Sequence, residues 1–100
     1  MFAIIREYQL NPIFTDAFIR DWSSLIYTFR SNDSFVSASL HKESNMRYIA
    51  YEKWKSKGVF MEVMNDHDGK IRIALEKLKD NCNDVALLHT MDVVNECEVL

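Results

Sequence analysis

The stretch Tyr48-Ile49-Ala50-Tyr51-Glu52-Lys53-Trp54-Lys55-Ser56-Lys57-Gly58-Val59-Phe60 changes period in its middle. Tyr48, Ala50, Glu52 and Trp54 alternate with Ile49, Tyr51 and Lys53, the two-residue repeat of a strand. After Ser56, a good N-cap residue, the spacing turns helical. A strand therefore ends on Trp54 and delivers its indole to the mouth of a helix. Lys53, Lys55 and Lys57 at this strand end read as solvated edge charges that discourage unwanted pairing, with an anion-attracting rim as the sharper alternative.

Upstream, Phe2, Ile4, Arg6, Tyr8 and Leu10 alternate with Ala3, Ile5, Glu7 and Gln9, which predicts a first strand over residues 2–10. Asn11-Pro12 stops it, because Pro has no N–H for a strand ladder. Phe14, Phe18, Trp22, Leu25, Ile26 and Phe29 then recur at spacings of three and four, the stripe of an amphipathic helix over 13–30. Ser31-Asn32-Asp33-Ser34 makes a turn, and Val36, Ala38 and Leu40 alternate with Phe35, Ser37, Ser39 and His41 as a second strand. Glu43-Ser44-Asn45 turns that strand into the third, residues 47–54, as an antiparallel hairpin.

Downstream, the helix from Ser56 buries Val59, Phe60, Val63 and Met64. Asn65-Asp66-His67-Asp68-Gly69 interrupts it, and Ile71, Ala74, Leu75 and Leu78 resume a helical stripe to Lys79, so the second helix comes in two parts. A last strand runs from Val85 to Val94. The order strand, helix, strand, strand, helix, strand predicts an α+β, ferredoxin-like split βαβ domain, an antiparallel sheet with its helices on one face.

The chain of 100 residues, 48% hydrophobic and 12% aromatic, makes a single domain over 1–100. Its formal charge of −3, with the basic residues scattered from Arg6 to Lys79, argues against nucleic acid as a partner. No apolar run exceeds five residues, and the N-terminus lacks a signal-peptide layout, so neither a membrane span nor export is expected and a cytoplasmic location is. Cys82 and Cys97, like His41, His67 and His89, lack metal-motif spacing, so no metal site is expected.

The aromatic-Glu-x-Trp strand end at Tyr51-Glu52-Lys53-Trp54, followed by the helix start at Ser56, resembles the antibiotic biosynthesis monooxygenase family. The resemblance spans nearly the whole chain, and its distinctive motif is residues 51–60. It implies a homodimer, two domains paired sheet to sheet as a dimeric α/β barrel, with a pocket in each between sheet and helices. It further implies monooxygenase chemistry on a quinol- or anthrone-type aromatic with dioxygen and no cofactor. Such a reaction needs a site that binds a small aromatic molecule and stabilises its deprotonated form. On the resemblance, Trp54 would stack on the substrate and Tyr51 would hydrogen-bond a phenolic oxygen. His67, between two Asp residues, would take the proton.

Two departures from the family pattern matter. Many members carry a His nine positions after the motif Trp, where this chain has Val63. The haem-degrading branch asks for Asn, Trp and His where this chain offers Glu7, Val63 and Ile73, which argues against haem degradation. Two alternatives to the oxygenase therefore stand: a non-catalytic barrel protein binding a small hydrophobic metabolite, and a polyketide-type cyclase or isomerase on the same fold. Arg6 and Arg47 are expected at solvent edges. Glu52 is expected at the surface or in an ion pair.

Overall fold

A computed structural model describes residues 1–65 and 69–97. Strand β1 (Phe2–Gln9) leads through a 3-10 turn (Pro12–Phe14) into helix α1 (Thr15–Arg30). The hairpin of β2 (Phe35–Ser44) and β3 (Arg47–Trp54) follows, then α2 (Lys57–Met64), α3 (Lys70–Lys79) and β4 (Asp84–Asp92). The four strands form one sheet in the order β2-β3-β1-β4, and every pair is antiparallel. This is the expected ferredoxin-like arrangement.

The local signals act where the sequence puts them. The Asn11 side chain accepts from the Ile13 N–H and caps the 3-10 turn, and Pro12 takes its first position, where a missing donor costs nothing. The Ser56 hydroxyl accepts from the Val59 N–H and caps α2. Gly69 sits at φ 77, the left-handed conformation that ends the break before α3. The second helix is thus two helices, as the interrupted stripe predicts. Strand β2 runs three residues beyond its last alternating residue, His41, to Ser44. A register shift at Lys42/Ser44 lets it keep pairing with β3 after its hydrophobic pattern has faded, and one at Phe35/Ser37 sets Phe35 opposite Trp54, so that Phe35 and not Val36 packs on the core.

The two-residue period sorts side chains onto two faces. Phe2, Ile4, Arg6 and Tyr8 of β1 lie opposite Trp54, Glu52, Ala50 and Tyr48 of β3, all on the face the helices cover. Phe18, Leu25 and Phe29 of α1, Phe60 and Val63 of α2 and Leu78 of α3 close over that face and complete the core. The other face carries Ile5, Ile49, Tyr51, His89 and Met91. Beside them Arg47 bridges Glu7, at 2.5 Å, and Glu43. Glu7 is held below the ordinary carboxylate range by hydrogen bonds from Arg47 and Gln9. Lys53 on the same face pairs with Glu96, at 2.8 Å, and so ties down the segment after β4.

Candidate active site

Two charges of opposite sign stand among the apolar side chains beneath α2. Glu52 is fully buried, and the Arg6 side chain is 11% exposed. Arg6 Nε donates to Glu52 Oε2 at 2.9 Å, and its Nη2 donates to Met64 Sδ at 3.3 Å. The guanidinium also lies 6.0 Å from the centre of the Phe60 ring, within cation–π range. Trp54 Nε1 donates to Glu52 Oε1 at 3.4 Å. The carboxylate is therefore held at both oxygens, by a cation and by an indole.

This overturns the expectation that Arg6 sits at a solvent edge. Its neighbours on the same face, Ile4 and Tyr8, are fully buried, and the strand period gives Arg6 no route to the other side. Of the two expectations for Glu52, surface or ion pair, the ion pair holds. Arg47 reaches the rim at 38% exposure, as expected.

Burial makes Glu52 more basic than an ordinary carboxylate, because a charge removed from water loses its hydration. Arg6, through charge and hydrogen bond, and the Trp54 N–H offset part of that effect. A desolvated carboxylate with raised proton affinity, oriented by two donors, has the attributes of a general base. The short helix α2, which buries Phe60 and Val63, is the cover above it.

Trp54 is fully buried. Its ring meets Phe29 and Phe35 edge-on, each at 5.1 Å between centres, and Phe60 at 5.7 Å. Tyr51 lies on the opposite side of the sheet, across from Ile5 of β1 and Ser39 of β2. Residues 51 and 54 differ by an odd number in a straight strand, so one pocket cannot hold both side chains, and the expected Trp54–Tyr51 pairing around a substrate is not formed within one subunit. His67 falls outside the described residues. Val63, at the family's His position, is a buried core residue. His41 and His89 both lie on the face away from the helices, His41 within 2.8 Å of the Ser39 hydroxyl. Among the described residues no group of His, Cys, Asp or Glu is placed to hold a metal ion. Among the same residues no helix is long and apolar enough to cross a membrane.

No family model matches this sequence, and no curated protein matches it. Solved structures do match in fold. A candidate antibiotic biosynthesis monooxygenase from Deinococcus radiodurans superposes with a TM-score of 0.82 at 10% identity, covering 100% of this chain and 99% of that one. A second antibiotic biosynthesis monooxygenase gives 0.77 at 13% identity, covering 95% of this chain and 100% of that one. SnoaB from Streptomyces nogalater, a cofactor-independent oxygenase, gives 0.73 at 12% identity, covering 95% and 97%. The fold is the one found in antibiotic biosynthesis monooxygenases, in accord with the resemblance carried by residues 51–60.

Proposed function

We propose that this protein is a cofactor-independent monooxygenase that oxidises a quinol- or anthrone-type aromatic with dioxygen in the space between sheet and helices, and that Glu52 is its base. The observation that carries this reading is the buried Glu52 carboxylate, made more basic by desolvation and fixed between Arg6 and Trp54. The fold shared with SnoaB supports the reaction class.

In the proposed chemistry Glu52 takes a proton from the activated methylene or phenol of the substrate, and Arg6 balances the charge that develops. The electron-rich anion then reduces dioxygen. For an anthrone, one oxygen atom becomes the new carbonyl and the other leaves as water with the two hydrogens of the methylene. The protein contributes a dry site, a base and donors, which is what a reaction driven by substrate acidity requires. Two copies would pair through the sheet face that bears Ile5, Ile49, Tyr51 and Met91, which no helix of the described chain covers. Tyr51 would then act at the subunit boundary.

Val63, a buried core residue where many members of the family carry a His, favours a second reading, a barrel protein that binds a hydrophobic metabolite without turning it over. Dioxygen uptake separates the two. With quinols and anthrones and no added cofactor, the purified protein should consume oxygen above the autoxidation blank, and Glu52→Gln should lower the rate by about 100-fold, the lower bound for loss of a general base. Melting curves for both proteins check that the variant is folded. No uptake across the panel would overturn the oxygenase in favour of the binder, and undiminished uptake in Glu52→Gln would remove Glu52 from the chemistry.

A further inference from the structure

Four residues along β1 from Ile4, the residue opposite Glu52, a second polar feature lies on the helix-covered face, roughly 13 Å away along the strand. Tyr8 is fully buried, and among the described residues neither its hydroxyl nor the buried indole nitrogen of Trp22 on α1 has a hydrogen-bond partner. The Trp22 N–H is near enough to act on the Tyr8 hydroxyl. Even if the indole donated to the phenol oxygen, the Tyr8 proton would remain without an acceptor, since Trp offers a donor and nothing else. A buried phenol proton with no acceptor is a deficit that a native core seldom carries unfilled.

The surroundings indicate what would fill it. Tyr8 packs against Phe18 at 5.2 Å, and Phe18 against Tyr48 at 5.2 Å, so the donors are set among aromatic rings. Val85 lies directly across β4 from Tyr8, and Cys82 is close enough to influence its hydroxyl. Both residues pack against the core, and both line an open cleft of about 300 Å³ with Lys79, Asn83 and Asp84. The cleft thus reaches, from the solvent side, two residues that adjoin Tyr8. Its size is at the lower end of what small-molecule sites occupy.

We propose that Tyr8 Oη and Trp22 Nε1 form a binding site for the carbonyl or phenolic oxygen of a planar aromatic that enters beside Cys82 and Val85. The inference deepens the oxygenase reading and rests on it for the ligand class alone. It assigns the end of the aromatic remote from Glu52 to two neutral donors, which would hold an oxygen acceptor without becoming charged. Burial drives the Tyr8 hydroxyl well above the ordinary phenol range, so it remains a proton donor at any physiological pH.

The test is a matched pair of probes on the full chain: 2,3-dimethyl-1,4-naphthoquinone and 2,3-dimethylnaphthalene, equal in shape and different in their oxygens. The methyl groups block addition of the Cys82 and Cys97 thiols to the quinone. Titration calorimetry should show the quinone bound at least tenfold more tightly. Tyr8→Phe and Trp22→Phe should each lower that preference about fivefold while leaving the hydrocarbon's affinity unchanged, the effect of one neutral hydrogen bond. Tyr8→Phe should melt within about a degree or two of the parent, because the phenol proton it removes has no acceptor and the hydroxyl oxygen loses only the nearby Trp22 N–H. Asn83→Trp, which fills the cleft without touching either donor, should abolish binding of both probes.

Equal affinities in the parent, a preference that survives both donor variants, or no binding of either probe would overturn the proposal and leave the donors to a buried water. A quinone preference without oxygen uptake would sink the oxygenase and keep this site. Oxygen uptake without the preference would do the reverse.

Discussion

Replacing Arg6 by Met is expected to destabilise the protein by about 3–5 kcal/mol, the cost of leaving a buried carboxylate without its cation. A domain of this size has roughly 5–15 kcal/mol in total, so the variant should unfold at much lower urea than the parent. The effect comes from the charge left behind. Glu52 is fully buried, and with Arg6 gone it retains the long contact from Trp54 Nε1 at 3.4 Å. Removing both charges should therefore cost far less: Arg6→Met with Glu52→Leu is expected to recover most of the loss, as buried ion pairs replaced by apolar side chains of similar volume often do. Urea unfolding of the two variants at neutral pH checks this. A loss below about 1 kcal/mol in Arg6→Met would mean that the pair is solvated and worth no more than a surface salt bridge.

Trp54→Ala should cost a comparable 3–5 kcal/mol, as for other large aromatics truncated in a close-packed core. The ring stands against Phe29 of α1, Phe35 of β2 and Phe60 of α2, so its loss opens a cavity where three elements converge on the end of β3. It also frees Glu52 Oε1. Trp54→Phe keeps an aromatic ring and loses the N–H, and should cost clearly less, so the two variants divide packing from hydrogen bonding. Urea unfolding followed by circular dichroism measures both. A loss near 1 kcal/mol in Trp54→Ala would show that the neighbouring Phe side chains close the gap, and would make the ring dispensable for the core and available to a ligand.

The fold was legible because its signals are periodic and local. Alternation over 2–10 and 47–54 and the stripe from Phe14 to Phe29 each map onto an observed element, and the interrupted stripe onto the separate helices α2 and α3. The ends of β2 were less visible, because its bulges preserve pairing where the hydrophobic pattern stops. The site was harder to read for a different reason. A strand pattern assigns a residue to a face but does not say which face is covered, and a charged side chain reads as solvent-facing by default.

Arg6 nevertheless carried a signal. It falls in the row Phe2, Ile4, Tyr8 and Leu10, and Glu52 falls in the row Tyr48, Ala50 and Trp54. A lone cation and a lone anion, each in an otherwise apolar or aromatic row of strands that pair in the sheet, are the pattern of a buried ion pair. The separation of Tyr51 from Trp54 was equally available, from the odd spacing. The Tyr8–Trp22 deficit was not, since it depends on how α1 lies across β1, a tertiary fact that neither element's sequence contains.

Whether Glu52 is a desolvated base reads out directly in its carboxyl carbon resonance followed against pH by NMR, assigned as the signal missing from Glu52→Gln. The ordinary value is 4.5. Because the folded value is raised, the folded state retains this proton over a range in which the unfolded chain has released it. The contribution of Glu52 to stability therefore falls as pH rises from about 4.5 through the folded value, and is level above it. Glu7, lowered by Arg47, acts in the opposite direction, so the comparison with Glu52→Gln is needed to isolate the effect. A Glu52 resonance that titrates above 4.5 is the predicted result. Titration at or below 4.5 would mean that Arg6 outweighs burial and leaves Glu52 a structural counter-ion with no capacity as a base.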